Sequence, residues 1–182
     1  MSTRIILVGV GCVGKTTIGG LLASRLGYPF FDLDQEIESY FDTTIERMKS
    51  RFLTEYSFRK EASVVLKKIL TNNSSCVIAC PPSGLRDAYS RVIRKIGAVV
   101  VAIEDTPENI LERITFYDID YRLMEKHLTA EEKRYYLKDI KEDIIYFKTS
   151  YRRADLHADI SGLDAEASAE LIEGLLKGYR TE

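Results

Sequence analysis

The feature that most constrains this 182-residue chain is a glycine-rich stretch near its amino end, Gly9-Val10-Gly11-Cys12-Val13-Gly14-Lys15-Thr16-Thr17. The apolar residues 4–8 precede it and predict a short buried strand. Residues 18–26 follow it with apolar side chains at helical spacing, and Gly27 closes that segment. A strand, a Gly-x-x-x-x-Gly-Lys-Thr turn and a helix in this order are the context expected of a phosphate-binding P-loop.

The chemistry of such a loop follows from its main chain. Successive N–H groups form an anion-binding concavity at a helix N-terminus, where the helix dipole also favours negative charge. We predict that a triphosphate is bound by Gly9, Gly11, Cys12, Val13, Gly14, Lys15, Thr16 and Thr17. Within this set, the Lys15 ammonium is expected to reach the β and γ phosphates, and the Thr16 hydroxyl is expected to hold Mg²⁺.

Composition narrows the class of protein. A hydrophobic content of 45%, a charged content of 30% and a net charge of −2 are ordinary for one globular domain, here 1–182. This charge excludes the electrostatic signature of a nucleic-acid binder, and no apolar stretch approaches a membrane span. Three cysteines at these spacings predict neither a zinc site nor a disulfide framework, and Cys76 is interpreted as a buried apolar residue. We therefore expect a cytoplasmic protein without nucleic-acid or membrane partners.

Strand and helix patterns alternate along the chain, which predicts a five-stranded parallel sheet in a three-layer α/β/α fold. The predicted strands are 4–8, 28–34, 76–79, 98–103 and 156–160. The predicted helices include 35–40, one capped by Thr43 and Glu46, 55–70, 86–96, one begun by Thr106 and Pro107, a long one capped by Thr129 and Glu132, and 164–176 stopped by Gly178. Residues 116–128 show no clean period.

Two carboxylates, Asp32 and Asp34, end the second predicted strand. Ligands of an open parallel sheet bind beyond the carboxyl ends of its strands, and residues two apart in an extended segment lie on one face. We predict that Asp32 helps to hold Mg²⁺ and that Asp34 orients or deprotonates an attacking hydroxyl group. A helix N-cap is the structural alternative for either residue.

These motifs resemble the shikimate kinase family, which comprises small-molecule kinases of the nucleoside-monophosphate-kinase-like P-loop group. The resemblance rests on Gly14-Lys15-Thr16-Thr17-Ile18-Gly19, on Asp32-x-Asp34-x-x-Ile37-Glu38 and on Glu55-x-x-Phe58-Arg59. It implies a P-loop NTPase fold with a lid at about 115–130 and an acceptor-binding region at about 33–62. It also implies ATP and Mg²⁺ as cofactors, a small-molecule substrate and a monomer.

The resemblance also implies roles for individual side chains. Arg59 would bind the acceptor carboxylate, for which a guanidinium fork is suited, although its spacing alone is equally typical of a solvated helix face. Arg122 would close over the phosphates from the lid, and Arg113 would stack on adenine. Lys15, Asp34 and Arg122 then form the implied catalytic set, and Asp34, Arg59 and Pro82 the implied acceptor site.

The acceptor half departs from the family pattern. The triple glycine after the third strand is here Pro81-Pro82-Ser83, which removes main-chain N–H donors. Ala62 replaces a glutamate, Arg122-Leu123 replaces Arg-Pro, and the second substrate arginine near Tyr146 or Phe147 is absent; Lys148, Arg152 and Arg153 are candidate substitutes. Three hypotheses remain. They are a shikimate kinase-like enzyme, a kinase for a gluconate-like sugar acid or a nucleoside or nucleotide, and an ATP-binding protein without catalysis.

Overall fold

A twisted parallel sheet forms the centre of the protein. The computed structural model describes residues 3–117, 123–124 and 127–179. Its strands are β1 (Arg4–Val8), β2 (Phe30–Asp32), β3 (Cys76–Ala79), β4 (Val99–Glu104), β5 (Phe116–Tyr117), β6 (Leu123–Met124) and β7 (Leu156–Asp159). Five of them pair in the order β2-β3-β1-β4-β7, all parallel, while β5 and β6 form a separate antiparallel pair. The predicted five-stranded α/β fold is confirmed.

Helices connect and cover these strands. They are α1 (Lys15–Leu26), α2 (Leu33–Phe41), α3 (Ile45–Lys49), α4 (Glu55–Asn72), α5 (Asp87–Ile96), α6 (Pro107–Glu112), α7 (Ala130–Tyr151) and α8 (Ala165–Tyr179). Helix α1 packs against α8, α4 against α5, and α6 against α7. The predicted capping box of α7 is present, because the Thr129 hydroxyl accepts the Glu132 N–H and the Glu132 carboxylate accepts the Thr129 N–H.

The core lies on both faces of the central strands. Ile5, Ile6, Leu7 and Val8 of β1 have no solvent exposure, and β3 is buried throughout its length. A continuous apolar run of this kind is expected when helices cover both faces of a parallel sheet. Cys76 belongs to this core as a free thiol, which confirms its interpretation as a buried apolar residue. Among the described residues, none of the helices combines the length and apolar composition needed to cross a bilayer.

The second strand is shorter than predicted. It ends at Asp32, and α2 begins at Leu33, so the expectation that Asp32 and Asp34 share one face of an extended segment is wrong. The reason is local. The Asp32 carboxylate accepts the main-chain N–H of Asp34 at 3.1 Å, which makes Asp32 the N-cap and lets the helix start at once.

Two predicted helix boundaries also differ. Helix α3 is capped by Thr44 rather than Thr43, because the Thr44 hydroxyl accepts the Arg47 N–H at 3.3 Å. Helix α8 continues through Gly178 to Tyr179, so Gly178 does not stop it. A single glycine costs a helix only about 1 kcal/mol, and the burial of Ile172 and Leu176 offsets a cost of that size.

Two neighbouring glycines of α1 test the packing of this helix on the sheet. A methyl group on Gly19 would lie 2.6 Å from a carbon of the Phe30 ring and 3.1 Å from Leu7 Cδ1, whereas a methyl group on Gly20 would meet nothing within 4 Å. We expect Gly19→Ala to lower the free energy of unfolding by about 1–3 kcal/mol through overpacking. Gly20→Ala should raise it by about 0.5–1 kcal/mol. Urea unfolding measures both, and equal stabilisation by the two variants would contradict this packing.

Candidate active site

The P-loop lies at the carboxyl end of β1, pressed against the neighbouring strand. Gly9 has φ 157°, and a Cβ atom there would lie 2.8 Å from the Ile103 carbonyl oxygen of β4 and 2.9 Å from Val13 Cγ1. Gly14 is the N-cap of α1 with φ 103°. Both positions therefore require glycine, because any side chain would clash or be strained. Gly11 has open space around it, so the structure imposes no such requirement there.

The start of α1 is suited to an anion. No side chain caps this N-terminus, so the first N–H groups of the helix keep their capacity to bind a phosphate. A depression in front of it is lined by Cys12, Gly14, Lys15, Thr16, Thr17 and Arg113. Cys12 adopts the left-handed conformation with φ 58°, which is uncommon for a residue other than glycine.

Lys15 holds its ammonium group inside the loop. Its Nζ donates to the carbonyl oxygens of Gly9 at 2.9 Å and Val10 at 2.7 Å. Burial lowers the pKa of Lys15 to about 8, while the ionisable groups of Cys80 and Asp34 raise it in part. A partly desolvated cation of this kind would gain stability from a phosphate brought next to it.

Thr16 and Asp32, the residues predicted to hold Mg²⁺, are in direct contact. The Thr16 hydroxyl donates to Asp32 Oδ2 at 2.7 Å. A hydroxyl and a carboxylate are oxygen ligands of the kind Mg²⁺ prefers, and Mg²⁺ keeps several waters or phosphate oxygens as further ligands. The residues present therefore fit such an ion. Within the described ranges, no group of three or more His, Cys, Asp or Glu residues forms a metal site made by protein alone.

Asp34 lies in the first turn of α2 with an unusual proton affinity. Burial, assisted by the negative charge of Asp32, raises its pKa to about 6, while the positive charges of Lys49 and Lys15 lower it. A carboxylate whose pKa is displaced toward neutrality is suited to act as a general base. The charged form of Asp34 also lowers the stability of the fold, because burial removes part of its hydration.

Arg59 is enclosed by two carboxylates. Its Nε and Nη2 contact Asp87 Oδ2 at 2.9 and 2.8 Å, and its Nη1 donates to Glu55 Oε2 at 3.1 Å. Only 9% of the residue is exposed, so the alternative of a solvated helix face is wrong. The structure brings Arg59 close to Glu55 and Asp87, and the charge of its guanidinium is already matched.

Two charged residues of this region escaped the sequence analysis. Asp87 begins α5 with φ 47°, a strained conformation for a residue other than glycine, and it holds Arg59. Lys49 ends α3 with its Nζ 4.0 Å from Glu55 Oε1 and 5.4 Å from the centre of the Phe58 ring. The sequence pattern gives neither residue a role. Only the packing of α3 and α5 beside α4 brings Lys49 to Glu55 and Asp87 to Arg59.

The loop after β3 is braced by α7. The Pro82 carbonyl oxygen accepts the Tyr151 hydroxyl at 3.0 Å, and Gly84 donates its N–H to Pro81 at 2.8 Å in a tight turn. The prolines leave carbonyl acceptors rather than N–H donors in this loop. Whether Pro82 contacts an acceptor stays a prediction.

The second substrate arginine of the family is expected near Tyr146 or Phe147, and the guanidinium that contacts these two rings here belongs to Arg86. The Arg86 guanidinium carbon is 4.1 Å from the Tyr146 ring centre and 4.8 Å from that of Phe147, and the group donates to the Tyr146 carbonyl at 3.1 Å. Of the three candidate substitutes, Arg153 instead donates to the Leu85 carbonyl. Lys148 and Arg152 border a pocket beside Val10 at the carboxyl end of β4.

Of the two arginines expected around the nucleotide, the structure describes Arg113 and does not describe Arg122. Arg113 lies at the C-terminal end of α6, where Nη1 contacts Asp105 Oδ2 at 2.5 Å, and it borders the P-loop depression. Its proximity to the loop agrees with the expected position, and its stacking on adenine stays a prediction. Arg122 lies outside the described residues, as do residues 118–121 and 125–126 of the predicted lid.

Comparison with known proteins identifies the family. A family model described as "Shikimate kinase" matches residues 11–173, which is most of the chain. This chain belongs to the shikimate kinase family. The resemblance drawn from the P-loop, Asp32-x-Asp34 and the Arg59 segment is thereby confirmed.

Relatives within the shikimate kinase family match at modest identity. The shikimate kinase of Thermodesulfovibrio yellowstonii is 29% identical over 176 residues, covering 97% of this chain and 94% of that protein. The shikimate kinase of Neisseria gonorrhoeae is 34% identical over 113 residues, covering 60% of this chain. The matched stretch spans 64% of the Neisseria protein and 7% of the Schizosaccharomyces pombe pentafunctional AROM polypeptide, which is 31% identical over 115 residues, 60% of this chain.

Solved structures share the fold. Shikimate kinase from Acinetobacter baumannii in complex with shikimate superposes with a TM-score of 0.76 at 24% identity, covering 100% of this chain and 97% of that chain. A gluconokinase from Sinorhizobium meliloti 1021 superposes with a TM-score of 0.63 at 16% identity, covering 99% and 95%. At these identities the similarity establishes the three-layer fold of the family and leaves the acceptor open.

The raised pKa of Asp34 predicts a pH-dependent effect on stability. A carboxyl group with a folded pKa of about 6, against about 4 unfolded, binds more protons in the folded state, so stability falls as the pH rises from about 4 to 6. Asp34→Asn should therefore raise the free energy of unfolding at pH 7.5 by about 1–2 kcal/mol, after allowance for solvent screening, and should change it little at pH 4.

Denaturant unfolding at the two pH values measures this difference. Asp139→Asn, on the exposed side of α7, is the matched control and should change stability by less than about 0.5 kcal/mol at either pH. A stabilisation by Asp34→Asn that is equally large at pH 4 and pH 7.5 would contradict the electrostatic origin.

Proposed function

We propose that this shikimate kinase family member transfers the γ-phosphoryl group of ATP to a hydroxyl group of shikimate or of a similar acidic metabolite. The observation that carries the proposal is the 2.7 Å hydrogen bond from Thr16 to Asp32, which brings the first turn of α2, with Asp34, to the P-loop that holds Lys15. The Asp34 carboxylate, whose pKa is raised to about 6, can accept a proton near neutral pH, and the Lys15 ammonium can neutralise a phosphate. Family membership supports the reaction class.

The roles of the side chains follow from their positions. ATP with Mg²⁺ supplies the phosphoryl group and a counter-charge for it. Thr16 and Asp32 would provide the oxygen ligands for the ion, and the N–H groups at the start of α1 would bind the phosphates. Lys15 would exchange the carbonyl oxygens of Gly9 and Val10 for phosphate oxygens. We also keep the prediction that Arg113 contacts adenine and that Arg122 covers the phosphates.

Asp34 would act on the acceptor. In the proposed transfer the acceptor oxygen forms a bond to the γ phosphorus, the bond between that phosphorus and the β–γ bridging oxygen breaks, and the proton of the hydroxyl passes to the Asp34 carboxylate. Arg59 would bind an acidic group of the acceptor with the N–H donors that Asp87 and Glu55 leave available. The small-molecule acceptor is the only partner proposed, and monomeric state and single-domain organisation stay predictions.

A second candidate acceptor is a hydroxyl-rich sugar acid resembling gluconate. Two observations favour it. Pro81 and Pro82 have no N–H donors, so the loop after β3 offers carbonyl oxygens in their place. Glu55 and Asp87 already pair with Arg59, and their carboxylate oxygens can also accept hydrogen bonds from hydroxyl groups of the acceptor. The third hypothesis, ATP binding without catalysis, is disfavoured by the shifted pKa of Asp34, because that shift costs stability without any benefit to nucleotide binding.

An acceptor panel decides between these candidates. We expect the protein with MgATP to release ADP much faster in the presence of shikimate than in water alone. The rate with gluconate, nucleosides or nucleotides should be lower than the rate with shikimate, or no higher than in water.

Asp34→Asn should abolish acceptor-dependent release while changing ATP affinity less than about twofold, because Asp34 acts on the acceptor oxygen. A coupled ADP assay and calorimetric ATP titration measure the two effects. Turnover of gluconate alone would select the second candidate, and ATP binding with no acceptor turned over would reject the kinase.

The pH profile of the reaction reports on Lys15 and Asp34. Activity requires Asp34 deprotonated and Lys15 protonated, so kcat/KM should rise through pH 6 and fall above pH 8. Lys49→Met removes a positive charge that lowers the pKa of Asp34, so it should move the acid limb to higher pH. Lys138→Met, in an exposed ion pair of α7, is the control and should leave both limbs in place. An acid limb unmoved by Lys49→Met would argue against Asp34 as its origin.

A further inference from the structure

A cavity beside the P-loop has no role in the proposed phosphoryl transfer. It has a volume of about 300 Å³ and is lined by residues of α7, of the carboxyl end of β4 and of β7, together with Val10 of the P-loop. This volume is at the lower limit of small-molecule sites, which measure about 300–1,000 Å³. The cavity shares no lining residue with the depression in front of α1, so it is separate from the predicted nucleotide site.

The strand order also separates this cavity from the proposed acceptor site. Asp34 follows β2, whereas Ile103 and His157, which line the cavity, belong to β4 and β7. Two strands, β3 and β1, lie between β2 and β4. Three strand spacings of about 4.8 Å make a separation of roughly 14 Å. A small acceptor whose hydroxyl group reaches Asp34 would therefore not fill the cavity.

The inner part of the cavity is apolar. Val10, Ile103 and Tyr151 line it and are almost fully buried, and Ile144 lines it as a half-buried residue. The Tyr151 hydroxyl already donates to the Pro82 carbonyl at 3.0 Å, so this polar atom is satisfied without a ligand. Such a lining favours an apolar ligand body, because the removal of apolar surface from water is favourable.

The acidic residues that line the cavity are already paired. Glu104 Oε1 contacts His157 Nδ1 at 2.8 Å. Asp105 Oδ1 accepts the side-chain amide of Asn109 at 2.7 Å, and its Oδ2 contacts Arg113. These carboxylates therefore do not call for a cationic ligand.

Two basic residues of the same lining have no such partner. Lys148 lies in the last turn of α7 and Arg152 is the C-cap of that helix. Both are exposed, and neither forms an ion pair within the described ranges 3–117, 123–124 and 127–179. They are four residues apart, so their like charges repel on one side of the helix, and an anion between them would relieve that repulsion. The helix dipole accounts for a cation in a last turn, but not for the apolar cavity beside it.

We propose that this cavity binds a small organic anion, with a carboxylate between Lys148 and Arg152 and a ring-sized apolar body against Val10, Ile144 and Tyr151. The charge of the two basic residues selects the carboxylate, and the volume and the apolar lining select the body. The site does not depend on the proposed kinase function, because that function assigns none of these residues to ATP, Mg²⁺ or the acceptor.

The test uses benzoate as the probe and calorimetric titration of the full chain. Benzoate has a carboxylate and an apolar ring, whereas acetate lacks the ring and benzyl alcohol lacks the charge. We expect benzoate to bind with a Kd of about 1 mM or lower, and acetate and benzyl alcohol to bind at least about fivefold more weakly. Saturating MgATP or shikimate should leave the Kd of benzoate within about twofold, because their proposed sites are separate from the cavity.

Substitutions on α7 locate the bound anion. Lys148→Gln and Arg152→Gln should each weaken benzoate binding about twofold to fivefold, as for the loss of one exposed ion pair. Lys138→Gln is the matched control, because Lys138 is an exposed lysine of the same helix that pairs with Glu142, and it should leave the Kd unchanged. The methyl NMR signal of Ile144, assigned with Ile144→Val, should shift when benzoate is added.

Several results would overturn the inference. Benzoate might fail to bind, bind both Gln variants as tightly as wild type, or be displaced by MgATP or shikimate; in the last two cases the anion occupies another site. Acetate that binds as tightly as benzoate would reject the apolar part of the site. The proposed kinase function is tested by a different measurement, since a protein that turns over no acceptor would lose that function and keep this site.

Discussion

The contact on which the site depends is the close approach of the main chain at Gly9 to the Ile103 carbonyl of β4. It turns the P-loop over the carboxyl edge of the sheet at a position where no side chain can be accommodated. Parallel pairing then brings β2 and β3 to the same edge, so that Asp32 meets Thr16 and the loop after β3 lies beside them. The positions of Lys15, Thr16 and Asp32 are a consequence of that strand order and of that loop.

The buried charged groups of the site, Lys15 and Asp34, lower the stability of the fold. Lys15 is desolvated and depends on carbonyl oxygens, while Asp34 is partly buried next to a second carboxylate. Neither arrangement stabilises the protein by itself, and under the proposed function both would become favourable when a phosphate and an acceptor hydroxyl bind. The guanidinium of Arg59 is treated differently, because Glu55 and Asp87 compensate its charge in advance. Under the proposed function, the ATP-binding groups are therefore left without matching charges in the free protein, whereas the charge of Arg59, proposed for the acceptor, is already paired.

Much of the fold was predictable because its signals are local. The four apolar residues Ile5 to Val8 predict a buried strand, and Thr129 with Glu132 predicts the start of α7 from hydrogen bonds made within one turn. The boundary between β2 and α2 was missed because an Asp32 N-cap and an extended Asp32-x-Asp34 segment have the same sequence. Asp87 and Lys49 were missed because the sequence pattern gives them no role. The contacts of Asp87 with Arg59 and of Lys49 with Glu55 exist only after α5 and α3 have packed beside α4.

The amino-acid sequence by itself determined the P-loop, the alternation of strands and helices and membership in the shikimate kinase family, since these depend on residues close together in the chain. The tertiary structure alone decided the ion pairing of Arg59 with Asp87, the placement of Arg86 against Tyr146 and Phe147, and the burial of the Tyr89 hydroxyl. The physical reason is that desolvation and pairing depend on which distant groups meet, and a linear pattern contains no measure of that distance.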